Sequence, residues 1–181
     1  MPSGKNHDRL TWLCLPLVVG ITTIVTRNSQ LVCLLTGGFL FSGLMFGPDL
    51  DIYSLQYKRW GLLRWLWLPY QKILPHRSLF SHGLFIGTAI RIFYLLTCIF
   101  IIAALALAIS QLLWGFAWNW QEFVFVGFQL VIEVYPQEAI TLWLGLELGA
   151  MSHSLADWIS SGMKISRRQA KPKAKVGKKR K

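Results

Sequence analysis

His7 with Asp8, Asp49 with Asp51, His76 with His82, and His153 with Asp157 form four short clusters. Between them they hold every histidine and every aspartate of the 181-residue chain. Imidazole nitrogens and carboxylate oxygens are the usual ligands of zinc, manganese and iron. Long apolar runs separate the clusters, and polar groups at the edges of such runs are costly and tend to be functional. The placement predicts a metal site assembled at one face of a small membrane bundle.

Spacing narrows the chemistry. His153 and Asp157 lie four apart, so a helix projects both from one face, about 6 Å apart. Pro48-Asp49-Leu50-Asp51 sets two carboxylates two residues apart, which extended geometry points the same way; a plain turn and helix stop is the competing reading. The stretch His76-Arg77-Ser78-Leu79-Phe80-Ser81-His82-Gly83 places two histidines around a helix start. Arg77 offers a planar donor fork for phosphate or carboxylate, and Ser81 is suited to cap the helix. His7 reads as a ligand or proton carrier, with Asp8 orienting it from outside the ligand set. The candidate ligands are therefore His7, Asp49, Asp51, His76, His82, His153 and Asp157. Seven exceed the four that one structural zinc takes. Either two ions share the site, bridged by Asp49 or Asp51, or one ion is held while the remaining groups do acid–base work. Zinc is favoured, with manganese or iron also compatible. Cys14, Cys33 and Cys98 lie far apart inside apolar runs and form neither a disulfide framework nor a metal knuckle.

The elements that must position these groups are helices in a membrane. The chain is 54% hydrophobic and only 15% charged, where a soluble domain carries about 25% charged residues. Leu10–Thr26 is a charge-free first helix without a convincing cleavage site, so it is expected to remain as an anchor. Leu31–Phe46 forms the body of a second, with Gly37, Gly38, Ser42, Gly43 and Gly47 spaced for close approach by a neighbour. Ile92–Ile109 is the strongest span, its helix expected to begin near Ser81. Ala139–Ile159 is the fourth, although it carries Glu147. Gly61–Tyr70 and Gln121–Tyr135 are expected to lie as interfacial helices. Arg91 and Glu147, inside the expected spans, pair or face the site's vestibule, unless Arg91 snorkels to the headgroups.

The fold class is thus all-α: an integral membrane bundle of about four transmembrane helices plus interfacial helices. Residues 1–163 form the membrane metal-binding domain and 164–181 a disordered basic cytoplasmic tail. Ten of the nineteen Lys and Arg lie in that tail, so the net charge of +11 mostly describes it. Beside hydrophobic segments, such a run marks the cytoplasmic side or touches anionic headgroups, at roughly 1 kcal/mol per basic residue; nucleic acid is a poor fit. With both termini inside a bacterial cytoplasmic (inner) membrane, four spans put Lys5, the Lys58–Lys72 loop and the tail in the cytoplasm. The same topology brings all four His/Asp clusters to one face. A fifth span would put the tail on the wrong side.

The stretches SGKNHD (3–8), GPDLD (47–51), YKRWG (57–61), HRSLFSHG (76–83) and SHSLAD (152–157) resemble a bacterial family of uncharacterised, predicted metal-binding membrane proteins. More distantly, the order His, PDxD, HR…SH, HxxxD is similar to the LexA-regulated membrane-bound metal-dependent hydrolases. That resemblance implies a metal-dependent hydrolase with the seven ligands named above. Those hydrolases tend to have Thr-His-Ser where this chain has Ser81-His82-Gly83, so the hydroxyl after the second histidine is missing here. The favoured function is hydrolysis of an ester or phosphoester at the cytoplasmic membrane surface, by a water whose pKa the ion lowers toward about 7. Arg77 would steady the developing negative charge. The rivals are a non-catalytic metal-binding membrane protein, structural or sensing, and a membrane anchor whose basic tail recruits a partner.

Overall fold

The computed structural model describes residues 4–76 and 78–169, and among them there are helices and turns but no strand. Helix α1 (Gly4–Thr26) and helix α2 (Ser29–Leu44) form a hairpin. Arg27 turns the chain in the left-handed region, and the Asn28 side chain caps α2 by accepting from the backbone N–H groups of Gln30 and Leu31. Helix α8 (Pro136–Gln169) packs along α2. The contact is close because glycines line it. A Cβ on Gly145 would stand 2.3 Å from the Leu35 carbonyl oxygen, and one on Gly149 would stand 2.4 Å from that of Phe39. Gly38 answers them from α2, whereas Gly37 faces open space. The Gly-x3-Gly of α8 is the half of this interface that the α2 glycines alone did not reveal.

Short elements follow α2: a 3-10 turn (Pro48–Asp51), helix α3 (Leu55–Arg59), a 3-10 segment (Gly61–Trp67), helix α4 (Leu68–Ile73) and helix α5 (Leu79–His82). They wrap an aromatic core of Phe46, Leu50, Tyr57, Trp67 and Tyr70, closed by Leu146 of α8. The segment Gly61–Tyr70 is mostly exposed, as a surface-lying element should be, but two of its aromatic residues turn inward. Trp65 and Leu62 do face outward, but Trp67 and Tyr70 are fully enclosed, their rings edge to face at 5.4 Å.

Helix α6 (Ile86–Trp114) begins later than expected. The chain breaks at Gly83–Phe85, where Phe85 adopts a φ of 62° and donates its N–H to Glu147 Oε1 at 3.0 Å. Ser81 is accordingly not a cap; Ser78 caps α5 instead. Helix α7 (Trp120–Gln129) runs into a π turn (Leu130–Val134), and the chain bends by 88° into α8 at Pro136. By length and composition α1 and α6 can cross a membrane, and the bent α7–α8 pair makes a third candidate. Among the described residues two or three candidates meet that length and composition, against the four spans expected. With 16 residues, α2 reaches only about 24 Å at 1.5 Å per residue, short of a hydrocarbon core of about 30 Å. Helix α8 continues to Gln169, past the expected boundary at 163; residues 170–181 lie outside the described residues.

Candidate metal centre

The elements bring all seven sequence-predicted ligands into one place. His7 comes from the start of α1, Asp49 and Asp51 from the 3-10 turn, His76 from the turn after α4, His82 from the end of α5, and His153 and Asp157 from α8. Arg77 lies outside the described residues. The turn at Pro48–Asp51 is helical rather than extended. Proline at its first position supplies a helical φ, and Leu50 N–H and Ile52 N–H donate to the carbonyls of Gly47 and Asp49. At about three residues per turn, carboxylates two apart diverge. Asp49 turns toward His82 and His153, Asp51 toward His76 and His82, and Leu50 between them points into the core.

Two groups of ligand atoms result. Asp49, His76 and His82 each offer one atom, all within 4.8 Å of one another, and Asp49, His153 and Asp157 do the same. Asp49 Oδ1 lies 3.8 Å from His82 Nε2, and Oδ2 lies 3.2 Å from His153 Nε2. Burial raises the Asp49 carboxyl, but the neighbouring imidazoles of His153 and His82 outweigh it and hold the group well below the usual carboxylate range. His7 stacks on His153 with ring centroids 3.9 Å apart, and its Nε2 is 3.5 Å from Asp157 Oδ1. Thr11 and Ser152, buried between α1 and α8 with hydroxyls 3.4 Å apart, seat that stack.

Protein groups occupy the Nδ1 side of the other rings. His76 Nδ1 sits 2.9 and 3.1 Å from the two Asp51 oxygens. His82 Nδ1 meets the Ser81 hydroxyl at 2.8 Å. Ser81 Oγ also faces the Pro75 and Ser78 carbonyls at 3.4 Å. By donating there, it can accept the His82 Nδ1 proton and leave the lone pair on Nε2. Gln56 Nε2 stands 3.4 Å from His153 Nδ1 and donates to the Gly43 carbonyl. On the other side, Nε2 of His76 and of His82 is buried with no hydrogen-bond partner, while Nε2 of His153 faces Asp49 Oδ2 at 3.2 Å. Buried polar atoms are normally paired. Two orphaned imidazole nitrogens beside the Asp49 carboxylate, both rings held from behind by acceptors, fit a divalent cation.

Ser81 and Gln56 were not assigned these roles from sequence. The hydroxyl directly preceding His82 was the available signal for Ser81; nothing local marks Gln56, which reaches His153 only through the fold. Asp8 does not orient His7. It forms an ion pair with Arg59, whose guanidinium also donates to the Leu44 carbonyl. Arg91 neither snorkels nor contacts Glu147 directly. Buried at the start of α6, it donates to the Ser81 carbonyl at 2.8 Å and to Thr88, and so braces the turn that carries His82. Arg91, Glu147, His82 and Pro48 line one small cavity beside the centre.

Fold and cluster define an all-helical protein with a His/Asp centre able to hold metal. The chain belongs to the family described as "Uncharacterized metal-binding protein (DUF2227)", which matches residues 2–167. It is also 37% identical over 59 residues to an "Uncharacterized protein" of Aquifex aeolicus (strain VF5), a match covering 32% of this chain and 41% of that relative's length. No solved structure matches.

Proposed function

We propose that this is a multi-pass protein of the bacterial cytoplasmic membrane that hydrolyses an ester or phosphoester at a metal centre on the cytoplasmic face, with zinc the favoured ion. The observation that carries the reading is the pair of partnerless Nε2 atoms of His76 and His82 beside Asp49, with Nε2 of His153 3.2 Å from the same carboxylate. A bound divalent ion supplies Lewis acidity toward a carbonyl or phosphoryl oxygen and lowers the pKa of water. Asp49, His76, His82, His153 and Asp157 hold it, while Asp51 and Ser81 keep the rings of His76 and His82 in register. His7, between Asp157 and His153, accepts or passes a proton at Nε2. Arg77 steadies negative charge developing on the substrate.

The membrane assignment rests on the long apolar helices: none of the most apolar stretch of α6 is buried within the chain. Lys58, Lys72 and the basic tail from Lys164 to Lys181 set the cytoplasmic side and favour anionic headgroups. The substrate is then lipid-like, reached at headgroup level.

The test is hydrolysis of p-nitrophenyl acetate, bis-p-nitrophenyl phosphate and phosphatidate micelles by detergent-purified, zinc-loaded protein. Chelator-sensitive turnover that falls to the buffer rate in the His82→Ala/Asp49→Ala double variant is expected. Metal-loaded wild type that turns over none of the three would instead favour a structural or sensing ion.

A further inference from the structure

We infer that the centre is built for two cations, with Asp49 shared between them and Asp51 belonging to neither. The inference rests on the metal-binding reading of the same residues and goes further by dividing them. The two ligand groups have only Asp49 in common. Its oxygens are split between them, Oδ1 toward His82 and Oδ2 toward His153. Imidazole nitrogens stand on both sides, Nε2 of His76 and His82 without hydrogen-bond partners on one and Nε2 of His153, 3.2 Å from Asp49 Oδ2, on the other. A single ion at the first group would leave the second, Asp49, His153 and Asp157, as a further set of three ligand atoms within 4.8 Å of one another.

The two halves also differ in chemistry. His76, His82 and Asp49 form a nitrogen-rich set, whereas His153, Asp157 and Asp49 form an oxygen-rich one that His7 flanks. Imidazole suits zinc and iron, and carboxylate suits manganese and magnesium, so the first half should hold zinc more tightly and the second should accept manganese. Each half has three ligands, which leaves positions for water or substrate. Asp51 sets both oxygens against His76 Nδ1, with Oδ2 also 3.6 Å from His82 Nδ1, and is therefore a positioning residue.

The full chain, stripped with chelator in detergent and titrated with Zn²⁺ or Mn²⁺, tests this by bound metal per chain after gel filtration and by electron paramagnetic resonance of the manganese form. Two ions and an exchange-coupled spectrum are expected in wild type. His76→Gln and Asp157→Asn should each retain one ion and a single-ion hyperfine pattern, and Asp49→Asn should retain none. Asp51→Asn should keep both ions at about 10–100-fold weaker affinity. One ion in wild type, lost equally in His76→Gln and Asp157→Asn, would overturn the pair and leave metal binding intact. No ion in wild type would overturn both. Circular dichroism and elution volume establish that each variant is folded; should Asp49→Asn fail that check, wild-type stoichiometry and the two one-sided variants decide.

Discussion

The two ends of this molecule are built on opposite rules. Around the His/Asp centre, polar side chains such as His7, Thr11, Arg91, Glu147 and His153 are buried, and the short segments after α2 wrap an aromatic core. Along the body of α6 and all of α7, large apolar side chains face outward and almost nothing is enclosed. One end is a polar interior with an aromatic wall; the other is an apolar exterior with no interior of its own. The difference teaches where the chain itself supplies order. At the centre, ring positions are determined by neighbours within the chain. In the apolar half, the surroundings must supply what the chain does not, since exposed apolar patches of this extent mark membrane or partner contact.

Paired substitutions sharpen this contrast. Trp67→Ala, in the enclosed aromatic core, should cost about 3–5 kcal/mol, whereas Trp114→Ala on the outward face should stay within about 0.5 kcal/mol; thermal unfolding in detergent compares them. Ile102→Arg, on the outward face of α6, should raise the free energy of membrane insertion by about 2.5–3.5 kcal/mol. Unchanged recovery in the membrane fraction would break the assignment of that half to lipid. Gly149→Ala forces a methyl against the Phe39 carbonyl and should destabilise by about 1–3 kcal/mol. Gly127→Ala, with nothing within 4 Å, should be neutral or stabilise by up to about 1 kcal/mol. A small effect also belongs to Asp8→Asn. Losing the partly exposed pair with Arg59 should cost no more than about 1 kcal/mol and leave metal content at the wild-type value; a drop in metal would restore Asp8 to the centre.

What could be read in advance divides along the same line. The α1–α2 hairpin and α6 were legible because uninterrupted apolar runs bounded by charged or turn residues leave few alternatives. The short segments between α2 and α6 were not. Trp65 and Trp67 have the same residue type and lie two apart, and only packing decides that the second turns inward. At Asp49 and Asp51 the residues were identified correctly but the geometry was not, because a proline-led 3-10 turn separates carboxylates that an extended chain would align. Arg91 was expected to pair with Glu147 or to face the site's vestibule; it lines a small cavity with Glu147 and His82, and it also grips the Ser81 carbonyl.

By itself the sequence determined an all-helical, strongly apolar chain whose histidines and aspartates are too few and too clustered to be ordinary surface. Residue type and local periodicity carry that information, and neither needs a fold to be read. Tertiary structure alone decided that Asp49 faces two groups while Asp51 turns to His76, that Ser81 and Gln56 stand behind the rings, and that Asp8 leaves for Arg59. Those outcomes depend on side-chain directions where six elements meet, and such directions are settled by packing across the chain rather than by spacing along it.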